Sequence, residues 1–403
     1  MGVAELSGGA ALGRRAPTRA VTSPLEATVP STLRLALAGG GTGGHVLPGR
    51  HLVEHGRELG ALGDLVWFQT GRAVEDSAMA GFEATVAGLG FERLRLRLEP
   101  PRGGAPGLGR LALLTAPAVL AARRALRAHG SEVLLGLGGF TSLPAVLAAR
   151  SLGLPVALLE INATAGRATR WLTGRAQRVF HAWPGTLPEG GDGQRDLWTG
   201  PPLGRAFRRD GDALAVREEV RAELGLEPQT PLLVVLGGSQ GALGLNRFVA
   251  ASTAVFAERR VAVLHQVGPG RLAEGGEPSP TYRPVEFVAQ VDRALRAATF
   301  VLCRGGASTL AEVGAVRAPA WVVPYPHHAD RHQERNARQL GSGVRVVQER
   351  ELDLEAAREL ARLCGPAGAE RRSEMRAALE GRVPLDGAQR IWSELERMAR
   401  GEP

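Results

Sequence analysis

The stretch "LRLALAGGGTGGHVLPGRHL", Leu33 to Leu52, decides the fold. An apolar run of strand length meets a cluster of glycines and passes into a helical pattern. The spacing G-x-G-x-x-G falls at Gly39, Gly41 and Gly44. That is the strand-loop-helix unit of a doubly wound α/β sheet, whose loop presents backbone N–H groups at a helix N-terminus. A dinucleotide reading needs a further element, an acidic residue at the tip of the second strand to bond the ribose hydroxyls. Here that strand ends "LVWFQTGR", with Gln69 and Thr70 at its tip. The loop therefore reads as a phosphate site without a nicotinamide signature.

The same grammar continues outward. "EVLLGLGG" and "PVALLE" are further strand-length runs separated by helical stretches, which predicts a parallel sheet covered on both faces. The scheme restarts at "PLLVVLGGSQGALGLN", Pro231 to Asn246, and "VAVLHQVG", "FVLCRGG" and "PAWVVPY" follow as later strands. A chain of 403 residues exceeds what one core usually serves. The expectation is two Rossmann-like domains facing a cleft: 32–203, then 204–384, joined by the polar segment from Gly200 to Asp212, with a closing helix over 385–400 that returns to the first. Residues 1–31 are rich in Ala, Gly, Pro, Ser, Thr and Arg and read as a flexible tail. Glycine loops also follow the strands at Gly136, Gly237 and Arg304. Four loops in two domains point to two phosphorylated ligands meeting in the cleft.

Composition narrows the partners. The net charge is +8, and all 49 basic residues are Arg. Aromatic residues are 4% of the chain, few for base stacking, and no nucleic-acid motif is present. A basic surface then fits phosphorylated ligands or an anionic membrane. The two cysteines, Cys303 and Cys364, make no disulfide scaffold and fit a reducing compartment. The longest apolar run, Leu111 to Ala122, falls short of the ~20 residues of a spanning helix, so any membrane contact is peripheral. The skew to Arg matches a GC-rich codon bias, which also depletes Asn. The three that remain, Asn162, Asn246 and Asn336, therefore stand out.

"GGGTGGH", "GLGGFTSLPAVLAARSLGLPVALLEINATAG", "GGSQGALGLN" and "LCRGGASTLAEVGAVRAPAWVVPYPHHADRHQERNA" run in order along the chain. In these blocks the sequence resembles the MurG family, the undecaprenyl-diphospho-muramoylpentapeptide N-acetylglucosaminyltransferases of peptidoglycan synthesis within glycosyltransferase family 28. The resemblance implies the GT-B fold and an inverting transfer from UDP-N-acetylglucosamine (UDP-GlcNAc). The acceptor is the 4-hydroxyl of the lipid-linked muramoyl-peptide, met at the cytoplasmic side of the cell membrane. The donor is expected on the C-terminal domain and the acceptor on the N-terminal, membrane-facing one, with no cofactor or metal. Two alternatives stay open: a GT-B transferase with another lipid acceptor, and a catalytically weak paralogue that binds nucleotide sugar or scaffolds other enzymes.

Residue by residue, the resemblance places Thr42, Gly43, Gly44 and His45 near the donor and the acceptor diphosphate. A helix N-terminus favours the neutral imidazole, which suits His45 as a base. Asn162 is expected to bond the donor sugar, or to bond its own turn. Leu159 and Ile161 beside it depart from polar family residues. Ser239 and Gln240 match the donor-phosphate loop, and Val288 the position whose backbone pairs with uracil. Ala307, Ser308, Thr309, Leu310 and Glu312 form the next donor stretch. Glu312 is the second catalytic candidate, as the carboxylate on the uridine ribose, or else Thr309-x-x-Glu312 is a capping box. Gln333 matches the glutamine that bonds the sugar hydroxyls.

"HHADRHQERNARQLG" also admits other readings. His328 and His332 with Asp330 have metal-ligand spacing. Equally, Asp330 and Gln333 fit a capping box for a helix closed by Gly341. Asp210-Gly211-Asp212 has the form of a metal-nucleotide motif but reads as a solvated turn. At the domain junction the family Arg that bonds the diphosphate is replaced by Gly204, and Arg205, one position on, is expected to take over or else to be a solvated linker arginine. "FERLRLRLEP" reads as a strand with a basic face (Arg93, Arg95, Arg97). With the apolar-basic segment Leu111 to Arg127 it is either a membrane patch or core packing.

Overall fold

The computed structural model describes residues 32–41, 43–96, 104–188, 192–208, 213–327 and 330–402. The side chains of 43, 104–114 and 213 are excepted. The tail over 1–31, Thr42, Arg97, the Asp210–Asp212 triplet and His328 lie outside these residues.

Residues from Thr32 onward form one compact unit built on two parallel sheets. The N-lobe sheet comprises β1 (Leu33–Gly39), β2 (Leu62–Gln69), β3 (Phe91–Arg95), β4 (Val133–Gly138), β5 (Val156–Glu160), β6 (Arg178–His181) and β7 (Asp196–Trp198). Their spatial order is β3-β2-β1-β4-β5-β6-β7. The C-lobe sheet comprises β8 (Leu232–Leu236), β9 (Ala262–Gln266), β10 (Tyr282–Val285), β11 (Phe300–Cys303), β12 (Ala320–Val322) and β13 (Val344–Val346), in the order β10-β9-β8-β11-β12-β13. Every adjacent pair is parallel. Strand order reverses between β1 and β4 in one lobe and between β8 and β11 in the other. Ligand crevices lie outside the carboxyl ends of the strands at such points.

The central strands β1, β4, β5, β8, β9 and β11 are buried on both faces almost throughout, which is why they are near-continuous apolar runs. In β1, Leu35 and Leu37 point into a layer with Trp67, while Ala36 and Ala38 point into the opposite layer. The second layer is covered by the helices Gly104–Ala128 and Ser142–Ser151. In β8, Leu232, Val234 and Leu236 face one layer, and Leu233 and Val235 the other.

Seven helices carry the rest of the description: α1 (Gly43–Glu58), α2 (Gly104–Ala128), α3 (Ser142–Ser151), α4 (Leu243–Glu258), α5 (Ala307–Ala315), α6 (His332–Arg338) and α7 (Gly387–Ala399). Helix α7 lies near the chain's end, yet it completes the N-lobe. Ile391, Trp392, Leu395 and Met398 join the layer that holds Leu35 and Leu37. Trp392 packs on α1 at Gly56, where a Cβ would come within 2.1 Å of its ring. The two chain crossings between lobes also touch: Gly200, at φ +80°, packs on Pro384, and Gly387 on the Pro201 carbonyl. Cys303 and Cys364 are both buried free thiols.

Candidate active site

The first glycine loop is pinned by a residue with no signature in the sequence. Beyond the tip of β2, Glu75 is fully buried. Its carboxylate accepts from the N–H groups of Gly41, Thr70, Gly71 (2.7 Å) and Arg72 (3.3 Å) and from the Thr70 hydroxyl. Burial alone would raise its pKa, but these hydrogen bonds outweigh it and hold the carboxyl below its usual range. A Cβ on Gly40 would lie 2.2 Å from Glu75 Oε1, so only glycine fits there. A carboxylate thus does stand near the position where a dinucleotide enzyme binds ribose, but the loop itself consumes it.

His45 sits in the first turn of α1, and its Nδ1 is 3.0 Å from the Gly40 carbonyl. A carbonyl only accepts, so Nδ1 bears the hydrogen and Nε2 is the nitrogen that can receive a proton. On the Nε2 side stands Gly138 (φ +94°), where a Cβ would lie 3.2 Å from that nitrogen. The loops after β1 and β4 therefore meet at the switch point with the imidazole between them.

The lobes join through asparagines. Glu160, at the end of β5, accepts from Asn162 N (3.0 Å), Asn162 Nδ2 (3.2 Å), Gly166 N (2.8 Å) and Thr169 Oγ1 (2.7 Å). Asn336 on α6 donates from Nδ2 to Asn162 Oδ1 (3.2 Å) and to the Gly305 carbonyl (3.1 Å), and accepts from Ala163 N (2.7 Å). Asn336 is fully buried. The third asparagine, Asn246, is also buried and donates to the Val267 carbonyl (3.0 Å). Leu159 and Ile161, the apolar departures beside Asn162, belong to the N-lobe core.

Across the seam, α5 starts after Gly306 without a side-chain cap. Thr309 is already the third helical residue, so the capping box with Glu312 does not form. Leu310 is core, and its N–H donates to the Gly306 carbonyl. Ala307, Ser308 and Glu312 line a small cavity of about 10 Å³ with Ile161, Pro48 and His51 from the N-lobe side. The Ser308 hydroxyl is buried there without a partner among the described residues. Glu312 is half-buried, and burial, then the nearby Asp292 charge, pushes its pKa up to about 8.

In the donor-phosphate loop, Ser239 and Gln240 are exposed between Gly238 (φ +85°) and Gly241 (φ +71°), just ahead of α4. Gln266 ties this loop to the next: its Nε2 donates to the Gly238 carbonyl (2.9 Å) and its Oε1 accepts from Val288 N (3.0 Å). The Val288 N–H is thereby engaged. Gln333 Oε1 accepts from Gly305 N (3.2 Å) and Tyr325 N (2.9 Å) and braces two loop backbones. The capping box expected for Asp330 and Gln333 is absent for that reason. Helix α6 instead follows Arg331 at φ +48°, and Asp330 accepts from His332 N (3.3 Å) and bonds its Nδ1 (2.8 Å). Among the described residues no three His, Cys, Asp or Glu side chains are grouped to hold a metal ion.

Arg205 is 56% exposed and faces Glu58, 3.7 Å away at the last residue of α1. Reaching a diphosphate at the glycine loops, which flank the first turn of α1, would require it to leave that pair. Gly204 packs against His51.

The basic strand and apolar segment also resolve. Arg93 is tied to Asp76 (2.7 Å) and Gln69, whereas Arg95 is largely exposed. On α2, Ala118, Ala122, Ala125 and Leu126 are core, while Leu120, Arg124 and Arg127 face outward. Sequence reasoning misses Trp171, 54% exposed, with Arg167, Arg170 and Arg175 exposed near it in the chain. No Asp or Glu occurs between Gly104 and Ser131 or between Ile161 and Pro188. Among the described residues no helix is long and apolar enough to cross a membrane.

Comparison with known proteins adds independent information. The profile of the "Glycosyltransferase family 28 N-terminal domain" matches residues 35–181, and that of the "Glycosyltransferase family 28 C-terminal domain" matches 232–371. The UDP-N-acetylglucosamine--N-acetylmuramyl-(pentapeptide) pyrophosphoryl-undecaprenol N-acetylglucosamine transferase of Sorangium cellulosum (strain So ce56) is 38% identical over 383 residues, covering 90% of this chain and 88% of that protein. The protein of the same name from Acidothermus cellulolyticus (strain ATCC 43068 / DSM 8971 / 11B) is 35% identical over 376 residues, 88% and 95% of the two chains. Among solved structures, Acinetobacter baumannii MurG superposes with a TM-score of 0.66 at 22% identity, covering 91% of this chain and 100% of that one. At that identity it supports the fold, two parallel-sheet lobes of the GT-B kind.

The raised Glu312 pKa makes a stability prediction. The folded value, about 8, lies above the ordinary 4.5, so charging the group opposes folding. Stability lost to it should appear as pH rises from about 4.5 and be complete near 8. Glu312→Gln should therefore match the parent at pH 4 and exceed it increasingly toward pH 8 in urea unfolding. An advantage that is flat with pH would contradict the assignment.

Proposed function

The chain belongs to glycosyltransferase family 28, and from that premise we propose that it transfers N-acetylglucosamine from UDP-GlcNAc to undecaprenyl-pyrophosphoryl-N-acetylmuramyl-(pentapeptide), the reaction in its relatives' name. The observation that carries the reading is the seam. Asn336 joins the β5 loop of one lobe to the β11 loop of the other, so the two switch points open on a common cleft.

Each residue then has a task. His45 Nε2 takes the proton of the muramoyl 4-hydroxyl as its oxygen attacks the anomeric carbon. The bond from that carbon to the β-phosphate oxygen breaks, and UDP departs with the electron pair. Attack from the opposite face inverts the anomeric centre and needs no covalent intermediate. The loop N–H groups around Ser239 and Gln240, at the start of α4, stabilise the departing diphosphate. Gly43 and Gly44, and Thr42 beside them, offer the same to the acceptor diphosphate. Asn162 has one amide hydrogen left for a sugar hydroxyl. With its oxygen fixed, Gln333 presents its amide hydrogens. Glu312 and the unpartnered Ser308 hydroxyl receive the ribose, and the Val288 carbonyl meets the uracil edge. Incubation with labelled UDP-GlcNAc and the lipid-linked acceptor should move label into the lipid. His45→Ala should cut turnover about 10²–10⁴-fold with donor affinity kept. Full turnover in that variant would remove His45 from the mechanism, and donor binding without transfer by the parent would refute the reaction.

The outward face of α2 and the Trp171 region is our candidate for contact with the cytoplasmic membrane surface. An exposed indole beside arginines, with no carboxylate interleaved, suits an anionic interface. Each arginine near such a surface contributes about 1 kcal/mol. Replacing Arg124 and Arg127 together by Ala should weaken binding to phosphatidylglycerol vesicles roughly 30-fold while leaving UDP-GlcNAc affinity unchanged. Unaltered vesicle binding would exclude this face.

A further inference from the structure

The amino-terminal edge of the C-lobe sheet, opposite the cleft, holds a cavity of about 310 Å³ that the transfer reaction does not use. It lies beside Pro231, just ahead of β8, and Thr299, just ahead of β11. Five residues of β8 at about 3.3 Å each separate it from the donor-phosphate loop. Four arginines line it: Arg217 and Arg221 from the helix Ala213–Glu223, and Arg372 and Arg376 from the helix Ala369–Leu379.

Among the described residues no carboxylate forms an ion pair with these four groups. Arg221 is buried and donates to the carbonyls of Thr230 (2.9 Å), Arg217 (3.1 Å) and Ala297 (3.2 Å). Arg372 donates to the carbonyls of Gly365 (2.7 Å) and Leu363. Arg217 donates to the Arg296 carbonyl (3.2 Å). Arg376 has no hydrogen bond or ion pair to a described residue. Nearby acids are engaged elsewhere: Glu219 and Glu223 with Arg293, Glu374 with Arg371, and Glu380 with Arg317. Glu218 is the one carboxylate among the described lining residues.

Helix capping explains part of this. Ala297 and Leu363 lie at helix C-termini, each worth about half a negative charge. With Glu218 they offset about two of the four positive charges. Capping leaves Arg376 unexplained. Burial, then the neighbouring Arg217, Arg372 and Arg317, push its pKa down to about 10, so its charge is held at a cost. Arg217 and Arg376 also line an adjoining cavity of about 420 Å³, which gives room for more than a bare phosphate.

We propose that this cavity is an anion site that takes the phosphate group of a small phosphorylated molecule, separate from the donor cleft. Planar guanidinium groups pair two-pronged with phosphate oxygens, and a concave, carboxylate-poor wall focuses the positive potential. The test titrates inorganic pyrophosphate into protein saturated with UDP, so that the donor cleft is already filled. The parent should bind one pyrophosphate here, beyond any taken by the acceptor-diphosphate loop at Gly43 and Gly44. Arg376→Gln and Arg217→Gln should each weaken it roughly tenfold or more with UDP affinity unchanged, and Arg217→Lys should lose less. UDP affinity and melting temperature show whether each variant is folded, and either one that folds carries the test. A parallel flotation with phosphatidylglycerol vesicles separates the sources: a loss confined to pyrophosphate assigns a soluble phosphate, and a loss in both assigns a lipid headgroup. No pyrophosphate binding by the UDP-saturated parent, or parent-like binding by the folded variants, would overturn the proposal.

Discussion

The structure turns on one buried amide. Asn336 commits its amide oxygen and both amide hydrogens, to Ala163, Asn162 and Gly305 respectively. A buried polar group left unsatisfied costs about 1–3 kcal/mol, so the pairing is kept only while the two loops stay in register. Those loops follow β5 and β11, and the strands set the positions of the glycine turns beside them. The contact therefore fixes how the two crevices face each other, which a large apolar interface, non-directional by nature, would do less sharply.

Around that seam, each lobe builds anion sites from backbone and spends side chains on holding the backbone still. Glu75 braces the first loop, Gln266 the loops at Gly238 and Val288, and Gln333 those at Gly305 and Tyr325. A loop of glycines is costly to order, and these braces bear that cost before a ligand arrives. Preorganised N–H groups then stabilise a leaving diphosphate without rearrangement during reaction.

The strands and their order are legible in the sequence because both sheet faces are apolar and each crossover is punctuated by glycine. The weight that composition gives to the three asparagines is matched by their surroundings: all three lie in hydrogen-bonded networks, and two meet across the lobes. The differences are local. The sequence suggests capping boxes at Thr309–Glu312 and Asp330–Gln333, but tertiary contacts claim those side chains or shift the helix start. Glu75 escapes a sequence reading because its partners are mostly backbone groups, which leave no side-chain pattern. Trp171 escapes it because a lone Trp among arginines has no periodicity, and only the fold shows that its ring is exposed. Arg205 begins a short helix and faces Glu58, a pairing that the linker sequence does not signal.

The most direct test of the account is a double-mutant cycle on transfer turnover with Asn162→Ala, Asn336→Ala and both together. If the amide contact holds the two crevices in register, either single change removes it, and the double variant should be little slower than the worse single one. Effects that simply multiply, or single variants with parental turnover, would show that the seam does not organise the site.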